Sequence, residues 1–277
     1  MKLARPDVFH PRIVLAGCPN QVTGDGDDAG LVAALRGRGL HAHWLSWDAP
    51  EVSRADLVIL RATRDYAGRL DEFLSWTSGV RNLLNPPAVV AWNVHRRYLE
   101  DLADRGVPTV AGEVCAPGER VELPGTGRVF VSPTVGTGTR CFSSRSAAAA
   151  YISEAGRSVW VQAGGSEPQT VLVFLGGEPS HAFTAQGDDA LRQGEPDFEI
   201  WDVGAAALAA AGDPAELLYA RVHLLGSRVL ELQLVDPSLD WGRLDVDTCD
   251  LAQRRFALCV ESALERFGLG PFSHRRP

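Results

Sequence analysis

Glu231-Leu232-Gln233 sets a carboxylate and an amide two residues apart in a run that reads as a strand. Residues at i and i+2 of a strand face one side, so these two groups can share a site, although a solvated strand face has the same pattern. A second segment with chemical promise is Thr134-Val135-Gly136-Thr137-Gly138-Thr139, a run of small residues with a G-x-G core. Such a run fits a plain turn as well as a loop over a phosphate. It is not a Walker loop, because G-K-[ST] is absent. No Ser–His–Asp or Cys–His grouping has a recognisable local signature, and His181 reads as a core histidine. The five cysteines, Cys18, Cys115, Cys141, Cys249 and Cys259, are odd in number and contain no C-x-x-C. That argues against a disulfide framework or zinc site and for a reducing compartment.

The basic residues are unusual in kind. Of 27 lysines and arginines in 277 residues, Lys2 is the only lysine. Chemistry that needs a lysine inside the fold is therefore excluded. Formal net charge is -8, which argues against non-specific nucleic-acid binding and against docking on anionic membranes. No apolar run approaches the ~18–20 residues that span a bilayer, and 1–11 lacks a signal-peptide core. A cytoplasmic protein is the expectation.

The elements that must position these residues fall into two parts. Apolar runs at 13–16 and 57–60, with a strand at 41–47, alternate with helices ending near 38 and 78. This βαβ rhythm implies a small doubly wound parallel unit. Asp27 and Asp28 are expected to cap the first helix. A further buried strand is expected at 88–92, and Asn93 is expected to cap a helix over 94–105. The segment 111–127, rich in Pro, Gly and Glu, reads as an irregular connection. Beyond it the chain is strand-dense, with strands at 129–131, 158–162, 170–175 and 181–184 and a helix over 144–155. A short Ala-rich helix is expected at 205–211, a hairpin around Gly226-Ser227 joins 217–224 to 229–235, and an amphipathic helix covers 248–267. The fold class is thus α/β followed by α+β.

Several segments, in order, resemble an ATP-grasp subfamily of glutathione-synthetase-like ligases, including those of cycloserine biosynthesis. Leu60-Arg61-Ala62-Thr63-Arg64-Asp65-Tyr66 is similar to that subfamily's R-S-T-W-D-Y. Leu84-Asn85-Pro86, Trp92-Asn93 and Arg97-Tyr98-Leu99 match its L-x-N and W-N-x-x-K-x-Y-L elements. Ser180-His181-Ala182, Leu218-Tyr219-Ala220-Arg221-Val222 and the run from Glu231 to Leu239 follow at the expected distances. The resemblance implies an ATP-grasp fold with an N-terminal Rossmann-like pre-ATP-grasp lobe (1–87), a central lobe (88–160) and a C-terminal lobe (161–277). ATP and Mg2+ would be clasped between the last two, for phosphorylation of a carboxylate and attack by an amine.

Residue by residue, the resemblance also implies departures. The first phosphate-binding lysine is Arg96 here, and the second, in V-x-K-P, is Ser132. Gly136 and Gly138 belong to the loop that covers the phosphates, and Gln162 stands where the hinge meets adenine in an apolar slot. The three metal positions are His223, Glu231 and Gln233: a nitrogen ligand better suited to zinc than magnesium, one carboxylate, and a neutral carbonyl. Glu199, after an acidic run over 187–197, replaces an arginine and would repel a triphosphate. Arg96 and Arg221 are the candidate catalytic cations, while Arg221 and Arg61 are equally open to structural roles. The expectation is a ligase relative with damaged phosphate and magnesium sites, acting as a pseudoenzyme or a binding partner of a small molecule or protein, with a homodimer as the expected assembly on base rates. The rivals are a working ligase that uses arginines, and a metal- or metabolite-binding protein on this scaffold.

Overall fold

The computed structural model describes residues 10–119, 123, 127–186 and 189–270, so Lys2 and part of the acidic run over 187–197 lie outside the described residues. The first lobe is built on β1 (Arg12–Gly17), β2 (His41–Ser46), β3 (Leu57–Ala62) and β4 (Leu83–Leu84), with α1 (Leu31–Gly37) and α2 (Leu70–Gly79). The sheet is parallel in the order β2-β1-β3-β4. Every residue of β3 is buried, as a strand covered on both faces requires.

Four sequence expectations give way here. Asp27 and Asp28 do not cap α1, whose N-cap residue is Gly30. Asp28 instead accepts two hydrogen bonds from the Arg61 guanidinium, both at 3.0 Å, and one from Trp241 Nε1. Asp27 accepts from the Ser238 hydroxyl and the Gly242 N–H. The expected strand at 88–92 is a helix, α3 (Pro87–Asn93), with proline at its start, where the missing N–H costs nothing. Asn93 therefore ends a helix, and its side chain bridges Leu232 O and Leu234 N. The helix expected from 94 is confined to α4 (Tyr98–Asp104).

The second sheet is antiparallel, in the order β5-β8-β6-β7, and comprises β5 (Gly112–Cys115), β6 (Arg128–Pro133), β7 (Arg140–Phe142) and β8 (Val159–Gly164), with α5 (Arg145–Glu154) on one face. β5 lies inside the segment expected to be irregular. β8 runs on across position 160, where the sequence reading divides the second lobe from the third, so this sheet closes at Gly164.

The third sheet has the order β11-β10-β9-β12-β13. It comprises β9 (Gln169–Leu175), β10 (Glu178–Ala185), β11 (Arg192–Gln193), β12 (Tyr219–Leu225) and β13 (Arg228–Gln233). α6 (Phe198–Ala211) and α4 cover one face, packing on Leu172, Phe174, Val222 and Leu232. α7 (Val246–Arg266) seals the seam between the first and third sheets through Phe256, Ala257 and Val260, which meet Ile13, Leu15, Val173 and Leu175 in one core. The helix expected at 205–211 starts at Phe198. Glu199 is therefore exposed in the first turn of α6, on the face of the sheet opposite Glu231. The repulsion of a triphosphate that the sequence reading assigned to Glu199 has no geometric basis. Among the described residues no helix is long and apolar enough to cross a membrane.

Candidate functional site

β12 and β13 place four polar side chains on one face. Arg221 lies opposite Gln233, and His223 opposite Glu231. Partners in antiparallel register share a face, and this face is turned away from α4 and α6. The strand alternation had Glu231 and Gln233 side by side and the resemblance grouped His223 with them; the fold adds Arg221 to the same face.

Arg96 reaches the same place from the turn before α4. Its Nη2 donates to Glu231 Oε1 at 2.5 Å, and both side chains are 2% exposed. Nη1 donates to the Tyr98 hydroxyl at 3.2 Å. Glu231 Oε1 also accepts from the Gln233 amide at 2.8 Å and the Gly138 N–H at 3.2 Å, and Oε2 accepts from the Thr139 hydroxyl at 2.7 Å. One carboxylate thus collects four donors. Burial would push the Glu231 carboxyl up, but Arg96, Gln233, Thr139 and Arg221 outweigh it and hold it down at about 2.

The small-residue loop supplies two of those donors because it folds back on the chain that carries Arg96. Arg96 N–H donates to Thr134 O, and Gly136 N–H to Val94 O. Gly136 and Gly138 have φ of +104° and +100°, a region that β-carbon sterics close to most residues. Gly138 is thereby turned so that its N–H meets Glu231.

The other candidates sit around this pair. Gln233 turns its amide nitrogen to Glu231 and its oxygen toward Arg221 Nη1, 3.5 Å away. Arg221 is held by Asp240 at 3.1 Å, a carboxylate that also accepts from Arg243. His223 Nε2 is 3.2 Å from Gln169 Oε1, and burial together with the Arg221 charge lowers its pKa to about 4, so its ring is neutral at pH 7. His181 is buried, and its Nε2 meets Leu239 O at 2.8 Å.

Ser132 and Gln162 line the face of the second sheet that meets the third. Ser132 is buried and its hydroxyl finds no partner among the described residues. The Gln162 amide nitrogen donates to Val110 O and Leu230 O. Where the sequence reading left an apolar slot, Phe130, Val110, Leu225 and Leu230 pack directly on one another. The contact is tight, since a β-carbon on Gly164 would lie 2.3 Å from Leu225 Cδ2. The two sheets are closed together by apolar packing at one end and by the Arg96–Glu231 pair at the other. Sequence reasoning missed Tyr98, Thr139 and Asp240 as partners, although Tyr98 and Thr139 both lie within motifs it quoted.

A parallel α/β lobe followed by two antiparallel sheets that clasp a polar cleft defines an ATP-grasp protein. The N-terminal domain model of the D-cycloserine synthetase DcsG matches residues 13–85. The cycloserine biosynthesis protein DcsG of Streptomyces lavendulae is 30% identical over 268 residues, spanning 78% of this chain and 88% of that protein. The chain belongs to the DcsG family of the ATP-grasp superfamily. The crystal structure of D-cycloserine synthetase DcsG superposes with a TM-score of 0.70 at 28% identity, covering 92% of this chain and 99% of that one. Two more distant structures share the fold. They are D-alanine–D-alanine ligase from Bacillus anthracis with ATP, at TM-score 0.64 and 11% identity over 93% and 98% of the chains, and the ATP-grasp ligase PsnB with its minimal precursor, at 0.61 and 18% over 91% and 100%.

Proposed function

We propose that this chain is a non-catalytic ATP-grasp protein, a cytoplasmic binding or partner protein in which an internal ion pair stands at the positions that the resemblance assigns to nucleotide phosphate and metal. One observation carries the reading: both oxygens of Glu231 are taken by protein donors, with the Arg96 guanidinium at 2.5 Å.

The donor set does not fit magnesium-bound ATP. Magnesium takes oxygen ligands and favours carboxylates. The single carboxylate of the three metal positions is committed to Arg96. Gln233 gives its N–H to that carboxylate and turns its oxygen to Arg221. His223 offers a neutral nitrogen. For a phosphate, Ser132 carries no charge and the charge of Arg96 is neutralised by Glu231. Removing Arg96 from its buried partner in favour of a phosphate would leave the Glu231 charge uncompensated, which is strongly unfavourable.

The rival is a working ligase in which Arg96 serves as the phosphate-binding cation. Its support is that a cation and a carboxylate both persist at the expected positions. ADP release in the presence of ATP and magnesium separates the two. The proposed function predicts a rate equal to the protein-free background at every protein concentration. A rate that scales with protein concentration and is lost in Glu231→Gln would overturn it.

A further inference from the structure

We propose that a cavity beside Arg96, distinct from the clasp, binds a planar aromatic anion. The cavity has a volume of about 570 Å³, within the range of small-molecule sites. Arg96 lines it, but Glu231, Gln233, Ser132 and Gln162 do not. It opens between the start of α4 and the second sheet; the two phosphate-motif segments contribute Trp92, Arg96, Thr134 and Val135 to its walls, but none of the positions assigned to metal or adenine does.

Three large aromatic rings contribute to its walls: Trp160, which is buried, Tyr98 and Trp92. The Trp92 and Tyr98 rings are 5.4 Å apart and tilted by 50°. Trp92 is held in orientation by its Nε1, which donates to Asp101 Oδ2 at 2.7 Å. Fixed rings of this kind take a flat apolar ligand at small entropic cost.

The charge at the mouth selects the ligand's polar end. Asp101 is the one carboxylate in the lining, and it is engaged by Trp92. The Arg96 charge is neutralised by Glu231. Arg97 is exposed, and its guanidinium has no hydrogen bond or ion pair among the described residues. That leaves one uncommitted planar cation beside three aromatic rings, with His95 next to it. A guanidinium fork matches a carboxylate or phosphate, so a flat ring bearing one such group fits both features at once.

The test is titration of wild-type protein with 1-naphthoate, followed by tryptophan fluorescence and calorimetry, beside the neutral 1-naphthylmethanol. Saturable binding of 1-naphthoate is expected, at least about tenfold weaker for 1-naphthylmethanol and for Arg97→Ala. Arg97 is exposed, so that variant should keep the wild-type melting temperature, which is checked by circular dichroism. Absence of saturation at millimolar 1-naphthoate, or equal binding by Arg97→Ala or by the neutral probe, would overturn the proposal. The result does not depend on whether ATP is turned over, so the two readings fail separately.

Discussion

Arg96→Ala is expected to destabilise the protein by about 3–5 kcal/mol, the cost of leaving one member of a buried ion pair behind. In that variant Glu231 stays buried with the Gln233 amide, the Thr139 hydroxyl and the Gly138 N–H but loses its cation. Replacing both partners, in Arg96→Leu with Glu231→Leu, removes both charges and is expected to cost less than the single change. Acid unfolding gives a second readout. The Glu231 carboxyl lies below its ordinary value of 4.5, at about 2. Its contribution is complete above about pH 4.5 and is lost as pH falls toward 2. Without Arg96 that acid limb should flatten. Denaturant melts at pH 7 and across pH 2–5 measure both effects. Equal stability of wild type and Arg96→Ala at pH 7 would show that the pair does not hold the clasp together.

Asp236→Asn is expected to stabilise the protein at pH 8. Asp236 is buried at the seam between the first and third sheets. Burial pushes its carboxyl up, and Asp28 adds to this. Arg61 and Arg64 oppose the rise, yet the net value is about 7. One oxygen, Oδ2, finds no partner among the described residues. Between about pH 4 and pH 7 the folded chain keeps a proton that the unfolded chain has released, so stability falls as pH rises through that window. Above pH 7 the full penalty remains, on the order of 4 kcal/mol at about 1.36 kcal/mol per unit above the ordinary value of 3.8. Asparagine keeps the size and tolerates the left-handed φ of +54°, a conformation it adopts more readily than most residues. The difference between the two proteins should be small near pH 3.5 and grow to a plateau above pH 7. A variant less stable than wild type at pH 8 would contradict this reading.

Much of the fold was legible because it follows from local pattern. The unbroken apolar run of β3, the hairpin of β12 and β13 and the long amphipathic α7 all lie within a few residues of their expected bounds. The stretch Ala88-Val89-Val90-Ala91-Trp92 was misread because a short apolar run fits a buried strand or a buried helix equally. The prolines at 86 and 87 prepare a helix start. Asp27 and Asp28 were misread because their partners Arg61, Ser238 and Trp241 lie 33 to 213 positions away. At the site, the residue types were legible but their mutual use was not. Arg96 and Glu231 are 135 positions apart, and only the fold shows that each answers the other. The alternation of β13 placed Glu231 beside Gln233, but it could not reveal that the amide would donate to the carboxylate. The closed apolar contact of Phe130 with Leu225 and Leu230 likewise joins strands from two different sheets.

The central claim is that the clasp is closed by its own side chains, and the most direct test is calorimetric titration of the wild-type protein with ATP in excess magnesium. The account predicts no saturable heat up to millimolar ATP, a binding free energy weaker than about 4 kcal/mol. Saturable binding at micromolar ATP that requires magnesium and is lost in Glu231→Gln would contradict it, because Glu231 would then serve a cation other than Arg96.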